Sequence, residues 1–305
     1  MRIGVKLPHT GAVLAGPSSA AAVPELARRF ESAGFDSLWV SDHLVLPGET
    51  TSWYPFAEDG VPTWPADTPY LEAVVALAAA AASTTRVRLG TAVLVLPQRN
   101  PVVLAKQLAG VAHLAGGRLD VGVGAGWLRE EFDALDAPFA DRGTRMVEWV
   151  AIMRACWTGK PAEFRGRYYH LPPDLRMMPT PPAPIPVLVG GHSARALGRA
   201  GSVGDGWLGQ QAAPALDPDL LAREIAVVRN AAAAVGRDPA GPRIVLRIVE
   251  SAGRAAQVAT RLAELEKAGV DEVIVDVHPL DGDPITDHAV LRDAAQTIRT
   301  DGESA

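Results

Sequence analysis
A strand-like apolar stretch followed by a helical one recurs eight times along the chain, and this alternation restricts the fold more than any other feature. The strand patterns run over Arg2–Leu7, Ser37–Ser41, Val87–Leu94, the stretch opening at Leu119, Val187–Val189, Gly206–Leu208, Arg243–Val249 and Asp271–Val277. Helical patterns lie between them. The first starts at Ser18 or Ser19 and stops at Gly34, and the second covers about Tyr70–Ser83. The third opens on Pro101 and stops at Gly116-Gly117, the fourth covers Asp141–Trp157, and the fifth ends near Ala200. The last three cover Pro218–Ala234, Arg254–Ala268 and a stretch ending near Ile298, before a frayed tail at Thr300–Ala305. Alternating βα units call for a parallel sheet, and eight of them in 305 residues fit a (β/α)8 TIM barrel filling residues 1–305 as one domain. A doubly wound sheet is the other arrangement this alternation permits. Two long insertions interrupt the pattern, Leu44–Pro69 after strand two and Gly159–Pro186 before strand five. The first carries Trp53, Tyr54, Phe56 and Trp64, which mark it as an ordered lid.

Composition removes several function classes. Hydrophobic residues make up 48% and charged residues 21%, as in a soluble globular protein. A net charge of −6 without a basic run speaks against nucleic acid as a partner. The longest apolar run, Ala73–Ala82, is too short to span a membrane. A single cysteine, Cys156, allows no intrachain disulfide and suits the cytoplasm, and its apolar helical setting makes it a buried, inert thiol. The N-terminus opens directly on a strand without a signal-peptide pattern. Dispersed histidines, no H-E-x-x-H and no G-x-S-x-G leave no metal site and no serine hydrolase to argue for.

In such a barrel the working residues stand at the C-terminal ends of the strands. Those ends carry Pro8-His9, Asp42-His43, Ala92-Val93-Leu94, Ala125-Gly126-Trp127, Gly190-Gly191-His192, Gly209-Gln210, Glu250 and His278. The fourth strand dissolves into Gly122-Val123-Gly124-Ala125-Gly126-Trp127. This is not the dinucleotide fingerprint G-x-G-x-x-G: counted from Gly122 its last glycine falls on Trp127, and counted from Gly124 on Arg129. Two readings stand, a bare platform for a cofactor ring and glycines that only relieve crowding inside a barrel. No cluster of Lys and Arg at the strand ends offers to hold a sugar phosphate. Lys6, Arg247 and Asp276 alternate with apolar residues on adjacent strands, so they are expected to form an inward, mutually paired network.

Ser37-Leu38-Trp39-Val40-Ser41-Asp42-His43, Leu89-Gly90-Thr91-Ala92-Val93-Leu94, Gly122–Trp127, Gly190-Gly191-His192-Ser193 and Gly204-Asp205-Gly206-Trp207 follow one another in this order. Over nearly the whole chain this resembles the luciferase-like oxidoreductases, and most of all their branch that uses the deazaflavin coenzyme F420. Such a resemblance, with the high alanine and arginine content, suits an actinobacterial source. It implies a non-proline cis peptide at Ala92-Val93 whose bulge supports the back of the ring, beside Gly124 and Ala125. It implies a phosphate held on the backbone of Gly190, Gly191, His192 and Ser193, which agrees with the anion-binding physics of glycines before a helix start. It implies that Asp42 bonds the ring and that His43 faces substrate as the proton partner. His9, Trp53 and Trp127 are the further substrate-side candidates. Trp127 stands where some F420-dependent sugar-phosphate dehydrogenases carry an acid, and an indole stacks but cannot shuttle a proton. The implied function is hydride transfer between F420 and a small organic substrate. An FMN-dependent monooxygenase and a non-catalytic flavin- or deazaflavin-binding protein are the alternatives. A homodimer through the Ala-rich second and third helices is the expected assembly.

Overall fold
The computed structural model describes residues 1–15, 19–57, 59–62, 64–277 and 284–303. His278 and Ser18 lie outside them. The strands are β1 (Arg2–Lys6), β2 (Ser37–Val40), β3 (Arg88–Val95), β4 (Leu119–Gly124), β5 (Phe164–Arg165), β6 (His170–Leu171), β7 (Val187–Gly190), β8 (Gly206–Ala212), β9 (Arg243–Val249) and β10 (Glu272–Val275). The α-helices are α1 (Ser19–Ala33), α2 (Ala73–Ser83), α3 (Pro101–Leu114), α4 (Arg129–Ala134), α5 (Arg142–Trp157), α6 (Ala194–Ser202), α7 (Pro218–Ala234), α8 (Ala255–Ala259), α9 (Leu262–Ala268) and α10 (Pro284–Glu303). Eight strands close into a parallel barrel in the order β1-β10-β9-β8-β7-β4-β3-β2, with β2 returning to β1.

Local chemistry explains most boundaries. Asn100 caps α3 by accepting from the Val102 and Val103 amides, with Pro101 at the first helical position. Asp217 and Pro218 open α7 in the same way, and Ser193 caps α6 through the Ala196 amide. Three elements depart from the sequence pattern. The helix expected over Arg254–Ala268 is broken into α8 and α9, α4 is an additional short helix, and α10 runs beyond Ile298 to Glu303. The second insertion forms the small antiparallel β5–β6 ladder, and none of its residues reaches the large cavity described below.

The barrel interior is stacked in three layers, as the alternation of inward residues requires. The lowest layer is ionic. Asp120 is fully buried and accepts from Arg88 at 2.7 and 2.8 Å while pairing with Arg243 at 2.9 Å. Burial works against this carboxylate, but the two guanidiniums hold it below the usual range. Buried Glu272 takes bonds from Ser37 and the Trp39 indole and pairs with Arg2 at 3.1 Å. The middle layer is apolar, formed by Trp39, Ala92, Leu188, Leu208, Val245 and Ile274. Trp39 fills it because β1 and β3 present glycines: a Cβ on Gly4 would meet the Trp39 Nε1 at 2.9 Å, and one on Gly90 would meet the ring at 2.4 Å. The top layer, with Lys6, Gln210 and Arg247, opens into the cavity.

Outside the barrel, Val75 on α2 and Val103 and Leu114 on α3 are exposed apolar side chains on the two helices expected to mediate self-association. Cys156 is buried within α5. Replacing Gly90 by alanine forces its methyl into the Trp39 ring; overpacking of this kind costs about 1–3 kcal/mol. Urea unfolding of Gly90→Ala against the wild type measures this, and an unchanged midpoint contradicts the plug.

Candidate active site
A cavity of about 1150 Å³ lies over the C-terminal ends of the strands. Its inner wall begins with a bulge in β3. Thr91 pairs with Val121 and Leu94 with Val123, so Ala92 and Val93 together stand opposite Gly122 alone. The Ala92–Val93 peptide is cis. The neighbouring glycines are shaped to this bulge. A Cβ on Gly122 would lie 2.0 Å from the Thr91 carbonyl oxygen, one on Gly124 2.6 Å from Val93 Cγ2, and one on Gly190 2.9 Å from Val93 Cγ1. The crowding reading therefore explains Gly122 and Gly124 better than the bare platform does. Ala92, Val93 and Ala125 face the cavity, while Gly124 is covered by Val93.

At the end of β7 the backbone turns through Gly190-Gly191-His192-Ser193 into α6. Gly191 has φ +112°, a region that L side chains avoid. All four residues line the cavity. The His192 ring is already committed: Nε2 accepts from the Gln210 amide at 2.9 Å, which leaves Nδ1–H to donate to Glu224 at 2.8 Å. The buried Trp207 indole braces the turn by donating to the Gly191 carbonyl. So the His192 side chain anchors the turn, and what the turn offers a ligand is backbone.

The cation content of this cavity lies beyond what the strand ends, which carry no Lys/Arg cluster for a sugar phosphate, could show. Lys6, Arg129, Arg142, Arg195, Arg199 and Arg247 all line it. The four outer arginines come from helices, Arg129, Arg142 and Arg195 from their first turns and Arg199 from the last turn of α6, so no strand-end pattern reveals them. Arg142 and Arg129 stack on the Phe139 ring at 3.8 and 4.2 Å, and Arg142 also donates to the Gly126 carbonyl. Arg199 lies across the bare backbone of Gly143, its Nε buried and unpartnered. Burial and the neighbouring Arg195 push its guanidinium below the ordinary value.

His43 stands on the other side, ringed by Trp64, Tyr70 and Trp127 at centroid distances of 6.0, 5.5 and 6.2 Å. Its Nδ1 lies 3.2 Å from Glu131 Oε2, so Nδ1–H donates to that carboxylate and Nε2 remains the free nitrogen. Glu131 is almost fully buried and also accepts from the Leu44 and Val45 amides and from Gln98. Burial works against this carboxylate, and the bonds from His43, Gln98 and Leu44 outweigh it, holding it below the usual range. Its neighbour Glu130 binds the lid, accepting from the amides and hydroxyls of Thr51 and Ser52 at 2.6–3.0 Å. Against slight burial, those donors hold Glu130 down to about 2. The lid aromatics form an edge-to-face cluster, Tyr54 on Trp127 at 5.0 Å and on Trp64 at 5.1 Å, with Trp53 at the exposed lip.

Two other sequence candidates sit differently from expectation. Asp42 touches the cavity wall, but its carboxylate accepts both Arg99 terminal nitrogens at 2.7 Å and the Val95 amide at 2.8 Å. Burial pushes this carboxyl up and Arg99 opposes it; the bidentate geometry is that of an ionised pair. Asp42 thereby ties the end of β2 to the backbone just past the bulge. His9 is fully buried and absent from the cavity wall: its ring nitrogens face the Leu7 and Ser41 carbonyls, only one of which a neutral ring can serve as donor, and Tyr70 covers it edge-on. Burial lowers it to about 4.

Sequence reading missed Glu131, Tyr70 and Arg99 as site residues, and placed Tyr54 only in the lid. The one available signal for Glu131 was the acidic pair Glu130-Glu131 directly after Arg129, the signature of a helix's first turn.

The description luciferase-like monooxygenase belongs to a family model that matches residues 1–274. An uncharacterised protein of Mycobacterium tuberculosis (strain ATCC 25618 / H37Rv) is 40% identical over 205 residues, 67% of this chain and 69% of that relative. An F420-dependent hydroxymycolic acid dehydrogenase of the same strain is 31% identical over 253 residues, 81% of this chain and 64% of that protein. Among solved structures, an F420-dependent secondary alcohol dehydrogenase in complex with an F420–acetone adduct superposes with a TM-score of 0.74 at 20% identity, over 96% of this chain and 97% of that one. The oxygenating constituent of 3,6-diketocamphane monooxygenase from Pseudomonas putida, in complex with FMN, superposes with a TM-score of 0.71 at 16% identity, over 95% and 96%. Both share the barrel.

Glu131 makes a testable acid dependence. Its folded carboxyl lies below its unfolded value of about 4.5, so its stabilisation is present above that pH and is lost as pH falls through the folded value. At pH 7, Glu131→Gln is expected to be less stable by about 1–3 kcal/mol, from the amide donors left poorly matched. Denaturant unfolding at decreasing pH checks this: the gap between variant and wild type narrows below about pH 4.5.

Proposed function
This chain belongs to the luciferase-like monooxygenase family, and on that premise we propose that it is an oxidoreductase that binds coenzyme F420 and transfers a hydride between it and a small organic substrate. The carrying observation is one cavity that joins a backbone cradle at Gly190–Ser193, an Arg199 whose Nε has no partner among the described residues, and a histidine whose second nitrogen has none there either. The residues fit the group. The cradle with Arg199 suits a phosphate, and the buried Arg199 Nε lacks an acceptor that a phosphate oxygen would supply. Ala92, Val93 and Ala125 offer an apolar wall for a flat ring.

Charge favours F420 over FMN. FMN ends in a single phosphate, whereas F420 continues from its phosphodiester into a tail of carboxylates. Arg129, Arg142 and Arg195 surround Arg199 in the same cavity, more positive charge than one phosphate requires. The F420-dependent relative and the F420-bound structural neighbour support the same choice. A purely binding protein has no use for the free His43 nitrogen beside such a wall.

When bound, the deazaflavin supplies a two-electron hydride acceptor or donor. The chain's own residues do the rest. Glu131 keeps the proton on His43 Nδ1, so that Nε2 takes the proton of a substrate hydroxyl or, in the opposite direction, His43 returns one to a carbonyl oxygen. Tyr54, Trp64 and Trp127 shield that exchange from water. Asp42 acts through the backbone beyond the bulge, by its bonds to Arg99 and Val95.

Titration of the purified protein with F420 and separately with FMN, followed by cofactor fluorescence, tests the reading. Tighter binding of F420 is expected, with Arg199→Met weakening it about tenfold. A preference for FMN points instead to a monooxygenase, and binding of neither overturns the cofactor assignment. Once a substrate is in hand, His43→Asn is expected to lower kcat by roughly 10²–10⁴ while leaving F420 binding intact.

A further inference from the structure
The innermost end of the cavity holds a charge that the reading above does not use. Lys6 on β1 lines it, and among the described residues no acceptor lies within hydrogen-bond reach of its Nζ. Arg247 on β9 shares this end. Its contacts are long: 3.2–3.3 Å to Asp276 and 3.4 Å to the Ala92 carbonyl. Well-formed charge-assisted bonds are about 2.7–2.9 Å, the length that Arg88–Asp120 and Arg99–Asp42 reach in this same barrel. Two cations therefore share one loosely held carboxylate.

The expected Lys6–Arg247–Asp276 network is thus only half formed: Arg247 pairs with Asp276 and Lys6 is left over. A cation without a partner is costly to bury. Lys6 shows that cost, since burial and the adjacent Arg247 lower it to about 8 despite Asp276. The position also separates this end from the cofactor cradle. In the strand order, β1, β10 and β9 lie across the barrel from β7, which carries the cradle, while Arg247 reaches over to the Ala92 carbonyl of the β3 bulge. From above, the lid brings Tyr54, whose hydroxyl also has no hydrogen-bond partner among the described residues and which senses both Arg247 and Asp276 electrostatically. Tyr54 in turn packs edge-on against Trp64 and Trp127, which gives this polar end an aromatic neighbour in the lid.

We infer that Lys6, Arg247 and the Tyr54 hydroxyl form a subsite for a carboxylate group of the substrate, so that the enzyme acts on a small organic acid whose apolar part lies against the lid. This deepens the proposed hydride-transfer reading and rests on it for the word substrate, but not for the anion site.

Calorimetry of the full chain with benzoate and with its uncharged isostere benzamide, each in the absence and presence of F420, tests it. Benzoate is expected to bind at least about tenfold more tightly than benzamide, as one charge-assisted pair provides. Lys6→Met should abolish that preference, Lys6→Arg should restore it, and both should leave F420 affinity unchanged. Equal affinity for the two probes, or binding of neither in both conditions, overturns the subsite using the wild-type protein alone. A preference that survives Lys6→Met locates the anion elsewhere, and a loss of F420 affinity with the preference retained gives Lys6 to the cofactor; either result overturns the inference. Failure of F420 to bind, with the benzoate preference intact, removes the hydride-transfer reading and leaves the subsite standing.

Discussion
An eight-stranded barrel has an interior of fixed size, and each bulky side chain inside it needs bare backbone on the strand it faces. Trp39 occupies the space above Gly4 and Gly90, and Val93 occupies the space above Gly124 and Gly190. The two exchanges do different work. Trp39 fills the middle of the barrel and gives the cavity a solid floor. Val93 carries the β3 bulge upward into that cavity, next to the cradle at the end of β7. The glycines of β4 and β7 thus belong to the wall's packing, and their effect on a ligand is indirect.

Charge inside the barrel divides along the same layers. Beneath Trp39, Asp120 and Glu272 face Arg2, Arg88 and Arg243 across ion pairs of 2.7–3.1 Å, although Arg243 Nε and Nη2 and Glu272 Oε2 make no hydrogen bond among the described residues. Above Trp39, among the described residues, Arg199 Nε has no partner, Lys6 has no acceptor, and Arg247 has only long ones. Unlike the orphaned atoms of Arg243 below, these cations line the cavity, where an arriving anion meets them. The two ends of the cavity lie across the barrel from each other, which suits one for a cofactor phosphate and the other for a substrate acid.

The lid joins the barrel through two adjacent carboxylates on the short helix α4. Glu130 collects four donors from Thr51 and Ser52, and Glu131 collects the root of the lid together with His43. The side chain that orients the histidine thus also sets where the lid begins. This couples the placement of the aromatic cluster to the tautomer of His43, so neither is positioned independently of the other.

Periodicity in the sequence determined the alternating strand–helix order and left a barrel or a doubly wound sheet, and Pro101, Pro218 and Gly34 mark ends by local backbone chemistry that needs no partner. It also determined that the strand-end residues Asp42, His43, Ala92, Val93 and Gly190–Ser193 gather on one face, because in a parallel barrel strand ends share a face by construction. What each side chain does there was decided only by tertiary structure. Asp42 is held by Arg99, from 57 residues away, and His43 by Glu131, from 88. His9 is sealed behind Tyr70, and the arginines converge from three different helices. Pairing, burial and the absence of a partner are properties of neighbours distant in the chain, and no local pattern of residues encodes them.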